Sequence, residues 1–124
     1  MPEDYTRLVE ALKAMEQAED PTAQTPVMVK LPIAEDEWYT RPDTVSYGIV
    51  AREFEADQLH ANNVKVDTCW EGSLDLFSMV RSGAGWVPMI ESLLTEYCGG
   101  SWSLNSHTYE RDSGLFHWEW VFRI

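Results

Sequence analysis

The sequence predicts an α+β fold: one mainly antiparallel five-stranded sheet with helices packed on one face, in the order α-β-β-β-α-α-β-β. Three observations carry that expectation. The last nine residues alternate Phe116, Trp118, Trp120, Phe122 and Ile124 against His117, Glu119, Val121 and Arg123, the period-two pattern of a strand with one apolar face. Asp112-Ser113-Gly114 supplies a hairpin turn just ahead of it. Two other segments repeat at helical spacing instead. Burying one large apolar side chain gains ~1.5–3 kcal/mol. Five on one face rival the whole net stability of a small domain, roughly 5–15 kcal/mol, so this face belongs to a core or an interface.

In chain order, residues 4–19 read as an amphipathic helix with Tyr5, Leu8, Val9, Leu12 and Met15 on one side. Asp4 is its N-cap, Glu3–Arg7 an i,i+4 ion pair, and Pro21 its stop. A polar linker over 22–25 then leaves this helix loosely tethered to the rest. Residues 27–31 form a short strand bracketed by Pro26 and Pro32, and 33–42 a loop. Residues 44–54 form a strand. After a turn over 55–63, with room for a single helical turn, residues 64–71 return as its hairpin partner. Gly72 ends that strand and Ser73 caps a helix over 74–81, with Leu74, Phe77, Met79 and Val80 as its apolar side. Ser82 to Gly85 stops it. A further helix opens at Trp86, with Pro88 in its first turn, Ile90, Leu93, Leu94 and Tyr97 as its buried stripe, and Gly99 at its end.

The closing hairpin carries a register. A three-residue loop over Asp112–Gly114 pairs Arg111 with Leu115. It thereby sets Trp102 opposite Ile124, Leu104 opposite Phe122, Ser106 opposite Trp120 and Thr108 opposite Trp118. A two-residue loop would turn Trp102 and Leu104 to the wrong face.

The 124 residues suit a single domain, 1–124, with its own core. Six Trp in such a chain point to a core or interface rich in aromatic surface. With 21 acidic against 9 basic side chains the net charge is -12, which argues against binding nucleic acid or an anionic membrane. No stretch approaches the ~20 apolar residues of a membrane span. The N-terminus lacks the charged start and apolar run of a signal peptide, so a cytoplasmic location is expected. There Cys69 and Cys98 are expected to be reduced, although one disulfide between them is also open.

Four constellations bear on chemistry. The hairpin register puts His107 opposite Glu119 and Tyr109 opposite His117, a polar cluster suited to acid–base work or, equally, to ordinary cross-strand pairing in water. Cys69 sits ahead of a helix start, yet it reads more simply as a small buried thiol. Asp67, Glu71 and Asp75 lack a calcium-loop pattern and read as surface charge, so neither a metal nor another cofactor is expected. Ser82-Gly83-Ala84-Gly85 resembles part of a phosphate loop, but it lacks the Lys-Ser/Thr and follows a predicted helix. The loop Glu35, Asp36, Glu37, Trp38 and Tyr39 joins carboxylates for steering to rings for anchoring, the chemistry of a protein-binding hot spot, although an ordered loop whose Trp38 tucks into the core while its acids stay in water is the more ordinary reading.

The leading functional expectation is therefore a small acidic, non-catalytic binding protein, of inhibitor or immunity type, docking on a basic protein surface. A small enzyme or ligand-binding domain built on His107, Tyr109, His117 and Glu119, or on Cys69, is the second. A structural homo-oligomer, such as a homodimer continuing the aromatic face across its interface, is the third.

Overall fold

The computed structural model describes the chain apart from Met1, Pro2, Asp20, Pro21, Tyr39, residues 56–58, Asn62, Asn63, Thr68 and Cys69, and only the backbone of the remaining residues in 53–69. In chain order the described residues form α1 (Glu3–Lys13), β1 (Glu16–Ala18), β2 (Met28–Lys30), β3 (Ile33–Glu35), β4 (Ser46–Glu55), β5 (Leu59–Ala61), β6 (Val64–Asp67), β7 (Trp70–Ser78), α2 (Trp86–Cys98), β8 (Trp102–Glu110) and β9 (Leu115–Arg123). Five of the strands make one sheet in the spatial order β3-β4-β7-β9-β8, while β1–β2 and β5–β6 pair separately. The fold is α+β. Its sheet is mixed rather than wholly antiparallel, because β3 runs parallel to β4.

Side-chain alternation decides which face of the sheet is covered. Val50, Leu74, Leu76, Trp118, Trp120 and Phe122 point to one side and meet Leu8, Leu12, Ile90 and Leu94 from the two helices in a single buried cluster. Trp120 is 0% exposed. Its indole N–H donates to the Glu91 carboxylate on α2 at 3.0 Å, and the Trp102 indole donates to Thr95 Oγ1 at 3.1 Å. The buried Trp120 N–H needs such a partner, so its bond to Glu91 sets the rotation of α2 over the sheet, and the exposed Trp102–Thr95 bond adds a second tie. At the far end, the Arg52 guanidinium lies 4.2 Å from the Trp70 ring centroid and 5.7 Å from that of Tyr5, tying α1 to the β4–β7 pair.

Several elements depart from the sequence pattern, each for a local reason. The helix predicted over 4–19 ends at Lys13, where the backbone tightens into i→i+3 bonds at Ala14 and Met15. Residues 16–18 leave it to pair with β2, and Met15 still reaches the core. The predicted loop over 33–42 begins with β3, held by burial of Leu31 and Ile33. Within the predicted turn over 55–63, residues 59–61 are β5, paired with β6.

The largest departure is at 74–81. Residues 74–78 of the predicted helix are instead the second half of β7, which lies between β4 and β9. Of the predicted partner strand 64–71, Trp70 and Glu71 do pair with β4 as the start of β7, while residues 64–67 pair with β5. Gly72, expected to end a strand, lies inside one. A Cβ there would stand 2.6 Å from the Ala51 carbonyl oxygen and 2.6 Å from the Phe122 ring, so glycine lets that ring rest on the sheet. The predicted order α-β-β-β-α-α-β-β therefore gives way to one with two helices among the described residues. No helix among the described residues is long and apolar enough to cross a membrane.

The closing hairpin forms, but its register is shifted by one residue from the predicted one and its loop is one residue longer. Glu110 pairs with Leu115, which leaves a four-residue loop with Gly114 left-handed at φ 72° and its N–H bonded to Glu110 O. On that register alone Trp102 and Leu104 would fall on the wrong face. A bulge between Leu104 and Ser106 shifts the ladder once more and returns both to the tryptophan side, Trp102 opposite Phe122 and Leu104 opposite Trp120.

Gly72→Ala should therefore overpack the sheet and cost about 1–3 kcal/mol in urea unfolding. Gly100→Ala, where a Cβ meets nothing within 4 Å, should stay within about 0.5 kcal/mol of the parent.

Candidate functional site

The face of the sheet away from the helices carries a connected group of aromatic and ionisable contacts. The alternation that buries Leu74, Leu76, Trp118 and Trp120 turns Asp75, Phe77, His117 and Glu119 to this open side, with Tyr47 and Ile49 from β4 and Ser106, Thr108 and Glu110 from β8. A row of rings crosses the strands here. Trp38 stands edge-on to Tyr47 at 6.5 Å, Tyr47 stacks on Phe77 at 5.0 Å, and Phe77 stacks on His117 at 4.2 Å. The Arg41 guanidinium sits 5.6 Å from the Tyr47 centroid. Burial raises the Tyr47 phenol above its usual range, with Glu110 adding to the effect and Arg41 opposing it.

His117 ends the row between two carboxylates. Its Nε2 lies 2.6 Å from Asp75 Oδ1 and its Nδ1 lies 3.3 Å from Glu110 Oε2. Only the imidazolium carries two N–H donors, so this geometry calls for a charged ring. The Asp75 hydrogen bond lifts its pKa above the usual 6.5; burial pulls the other way and Glu110 adds to the rise. Because both nitrogens are engaged, the ring has no free position from which to take a substrate proton. Glu119, next to Asp75 in the ladder, accepts from Asn105 Nδ2 at the bulge.

The polar cluster predicted for the hairpin does not assemble. With the four-residue turn, His107 faces Trp118 and Tyr109 faces Phe116, both on the helix side. His107 stacks on Trp118 at 4.3 Å, and Tyr109 is exposed at the sheet edge. His117 and Glu119 remain on the open face, but their partners are Asp75, Glu110 and Asn105. The signal that would have found Asp75 is the alternation Leu74-Asp75-Leu76, read as a strand.

The predicted contact loop is ordered around Trp38, whose indole donates to Gly48 O at 3.1 Å. Glu35 pairs with Lys13 at 3.0 Å, and Asp36 takes a left-handed conformation at φ 71° while its N–H bonds Val50 O. Glu37 N–H bonds back to Glu35 O, and Tyr39 lies outside the described residues. Trp38 therefore joins the loop to the aromatic row rather than standing alone.

Other candidates can be placed as well. Ser82–Gly85 follows a strand, not a helix, and leads into α2. The Gln17 side chain fills its hollow and donates to Ala84 O. Burial pushes the Cys98 thiol up to about 11, with Asp4 adding to the rise, while Cys69 and the possible bridge between the two lie outside the described residues. A depression of about 270 Å³ lined by Glu71, Trp102, Val121 and Arg123 is open to solvent, as is one of about 400 Å³ at the turn 110–113. Small-molecule sites instead enclose most of their ligand. Among the described residues no group of three or more His, Cys, Asp or Glu is placed to hold a metal ion.

Comparison of the chain with protein-family models, curated proteins and solved structures finds no match.

His117→Gln should remove a clamp whose stabilisation belongs to the protonated ring. Its folded pKa is raised, so the contribution is full below about pH 6.5 and is lost as pH rises through the higher folded value. Wild type should exceed the variant by about 1–2 kcal/mol near pH 6, with the gap closing toward pH 9, read by urea unfolding across pH. In a Cys69→Ser background Cys98 should react with a disulfide reagent far more slowly than a free thiol near pH 7.5, because little thiolate is present; stopped-flow absorbance measures the rate.

Proposed function

We propose that this protein is a small, non-catalytic binding protein of inhibitor or immunity type that docks the open face of its sheet onto a basic surface of a partner protein. The observation that carries the reading is that face itself. It sets an aromatic row, Trp38–Tyr47–Phe77–His117, beside the carboxylates of Asp75, Glu110 and Glu119, with no helix over it among the described residues. Tyr47 is itself buried at 8% exposure, so the half-buried Trp38, Phe77 and His117 provide the contact area, and carboxylates at their margin reward a cationic partner and repel an anionic one. The net charge of -12 would steer such a partner at long range. Of the expected contact loop only Trp38 reaches this face, through Tyr47, whereas Glu35 pairs with Lys13 on α1 and lies in register with the core-facing Val50. An acid–base enzyme fits less well, since His107 and Tyr109 lie on the other side of the sheet and both nitrogens of His117 are occupied.

A homodimer is the second reading, favoured by β8. That nine-residue strand is the outer strand of the sheet, and Leu104 and Tyr109 beside it are 44% and 53% exposed. Unpaired edges of this length are templates for strand addition.

Immobilised wild-type protein should retain one basic partner from its native lysate near 50 mM salt and release it near 500 mM, as expected for steering across about one Debye length. Glu119→Lys should weaken that complex by about 2 kcal/mol, roughly 30-fold in Kd, whereas Leu104→Ala on the helix side leaves it unchanged. Retention that ignores both salt and Glu119→Lys would sink the docking reading. A concentration-dependent dimer in light scattering that Tyr109→Lys abolishes would favour β8 pairing.

A further inference from the structure

We infer that His117 is a proton-operated latch on the open face: protonated, it keeps Asp75 and Glu110 to itself, and deprotonated, it frees Glu110 to pair with a basic partner. The inference rests on the docking reading above and assigns that face a regulator.

The geometry is unequal on the two sides of the ring. A neutral imidazole has one N–H. It keeps the 2.6 Å bond from Nε2 to Asp75, whose side chain is 18% exposed in the middle of the sheet. Nδ1 then presents a lone pair to Glu110 at 3.3 Å, and that contact turns repulsive. Glu110 is placed to leave. It is the last residue of β8, its side chain is 41% exposed, and its other oxygen, Oε1, already accepts from Ser113 Oγ at 3.4 Å, so only Oε2 depends on the ring.

The groups around the ring set the direction of the switch. Asp75 faces it from β7 and Glu110 from β8, while Glu119 shares its strand and face. Tyr47 and Arg41 lie beyond Phe77 from β4 and the segment before it. The Asp75 and Glu110 contacts favour the charged ring and burial disfavours it, leaving the transition above pH 6.5. When the proton leaves, the face gains one unit of negative charge and one mobile carboxylate. A cationic partner then binds more tightly, and by linkage its arrival expels the proton.

The experiment uses the intact, isotope-labelled chain with a hexa-arginine peptide as the basic probe, followed by NMR near pH 6 and near pH 8.5. Peptide shifts should map to β7, β9 and the end of β8, with Kd about threefold to tenfold lower at the higher pH. His117→Gln and Glu110→Gln should each abolish that pH dependence, and in Glu110→Gln His117 should still titrate. The Glu110 side-chain carboxyl resonance of the wild type should move with the His117 midpoint. Binding on this face with the same Kd at both pH values, or a Glu110 resonance indifferent to His117, overturns the latch and leaves the docking reading standing. Shifts confined to other surfaces, or no binding at either pH, overturn both.

Discussion

Everything else in this structure depends on the burial of Trp118, Trp120 and Phe122 beneath the helices. These side chains occupy alternate positions of β9, so burying them commits the strand to one orientation. The indole of Trp120 cannot be buried without an acceptor, and Glu91 supplies it from α2. That bond selects the face of α2 that points down, placing Ile90 and Leu94 in the core, each 0% exposed. Gly72 then lets the Phe122 ring lie on the sheet. One apolar row thus specifies the helix docking, the neighbouring strand and, by exclusion, which residues remain outside.

The parts of the fold that a linear pattern reveals are those with a single strong period. The sequence of β9 alternates over nine residues, and α2 holds a helical stripe from Trp86 to a left-handed Gly99. Strand β7 hides because both of its faces carry large apolar groups. Leu74 and Leu76 face the core while Phe77 faces out, and Leu74, Phe77 and Val80 together mimic helical spacing. The residue that obscured the strand is the one that carries the aromatic row. Local pattern failed where the candidate site departs from an ordinary polar outer face.

The site was legible only in part, for a related reason. His117 and Glu119 stood out on the polar side of β9, but a register decides what faces them. A turn of four residues rather than three moved His107 and Tyr109 to the helix side. The bulge at Asn105 then returned Trp102 and Leu104 to that side without undoing the move, Trp102 packing on the core and Leu104 staying 44% exposed. A bulge is a purely pairwise feature of two strands, and β8 alone carries no glycine to announce it. Asp75 and Glu110, the residues that hold His117, depend on a strand order that spans 42 positions of sequence in one case. Such partners cannot be read from spacing along the chain.

The open face combines two properties that oppose each other in an isolated molecule. Apolar rings and Ile49, Ala51 and Val121 on its surface favour being covered. Its carboxylates favour water, and their mutual repulsion in a chain of charge -12 opposes gathering them there at all. The face tempers that repulsion with cations of its own: the imidazolium of His117 between Asp75 and Glu110, Arg123 beside Glu71 at 3.7 Å, and Arg41 on the ring of Tyr47. Cations therefore already occupy both kinds of seat the face offers, between carboxylates and over rings. A second cationic surface would meet the same chemistry on a larger scale, covering the rings and replacing the solvent around the acids in one step. A second copy of the same face brings no surplus of cations, so like charges would oppose its approach. That difference makes a basic surface a better complement to the proposed docking face than a second copy of the same face.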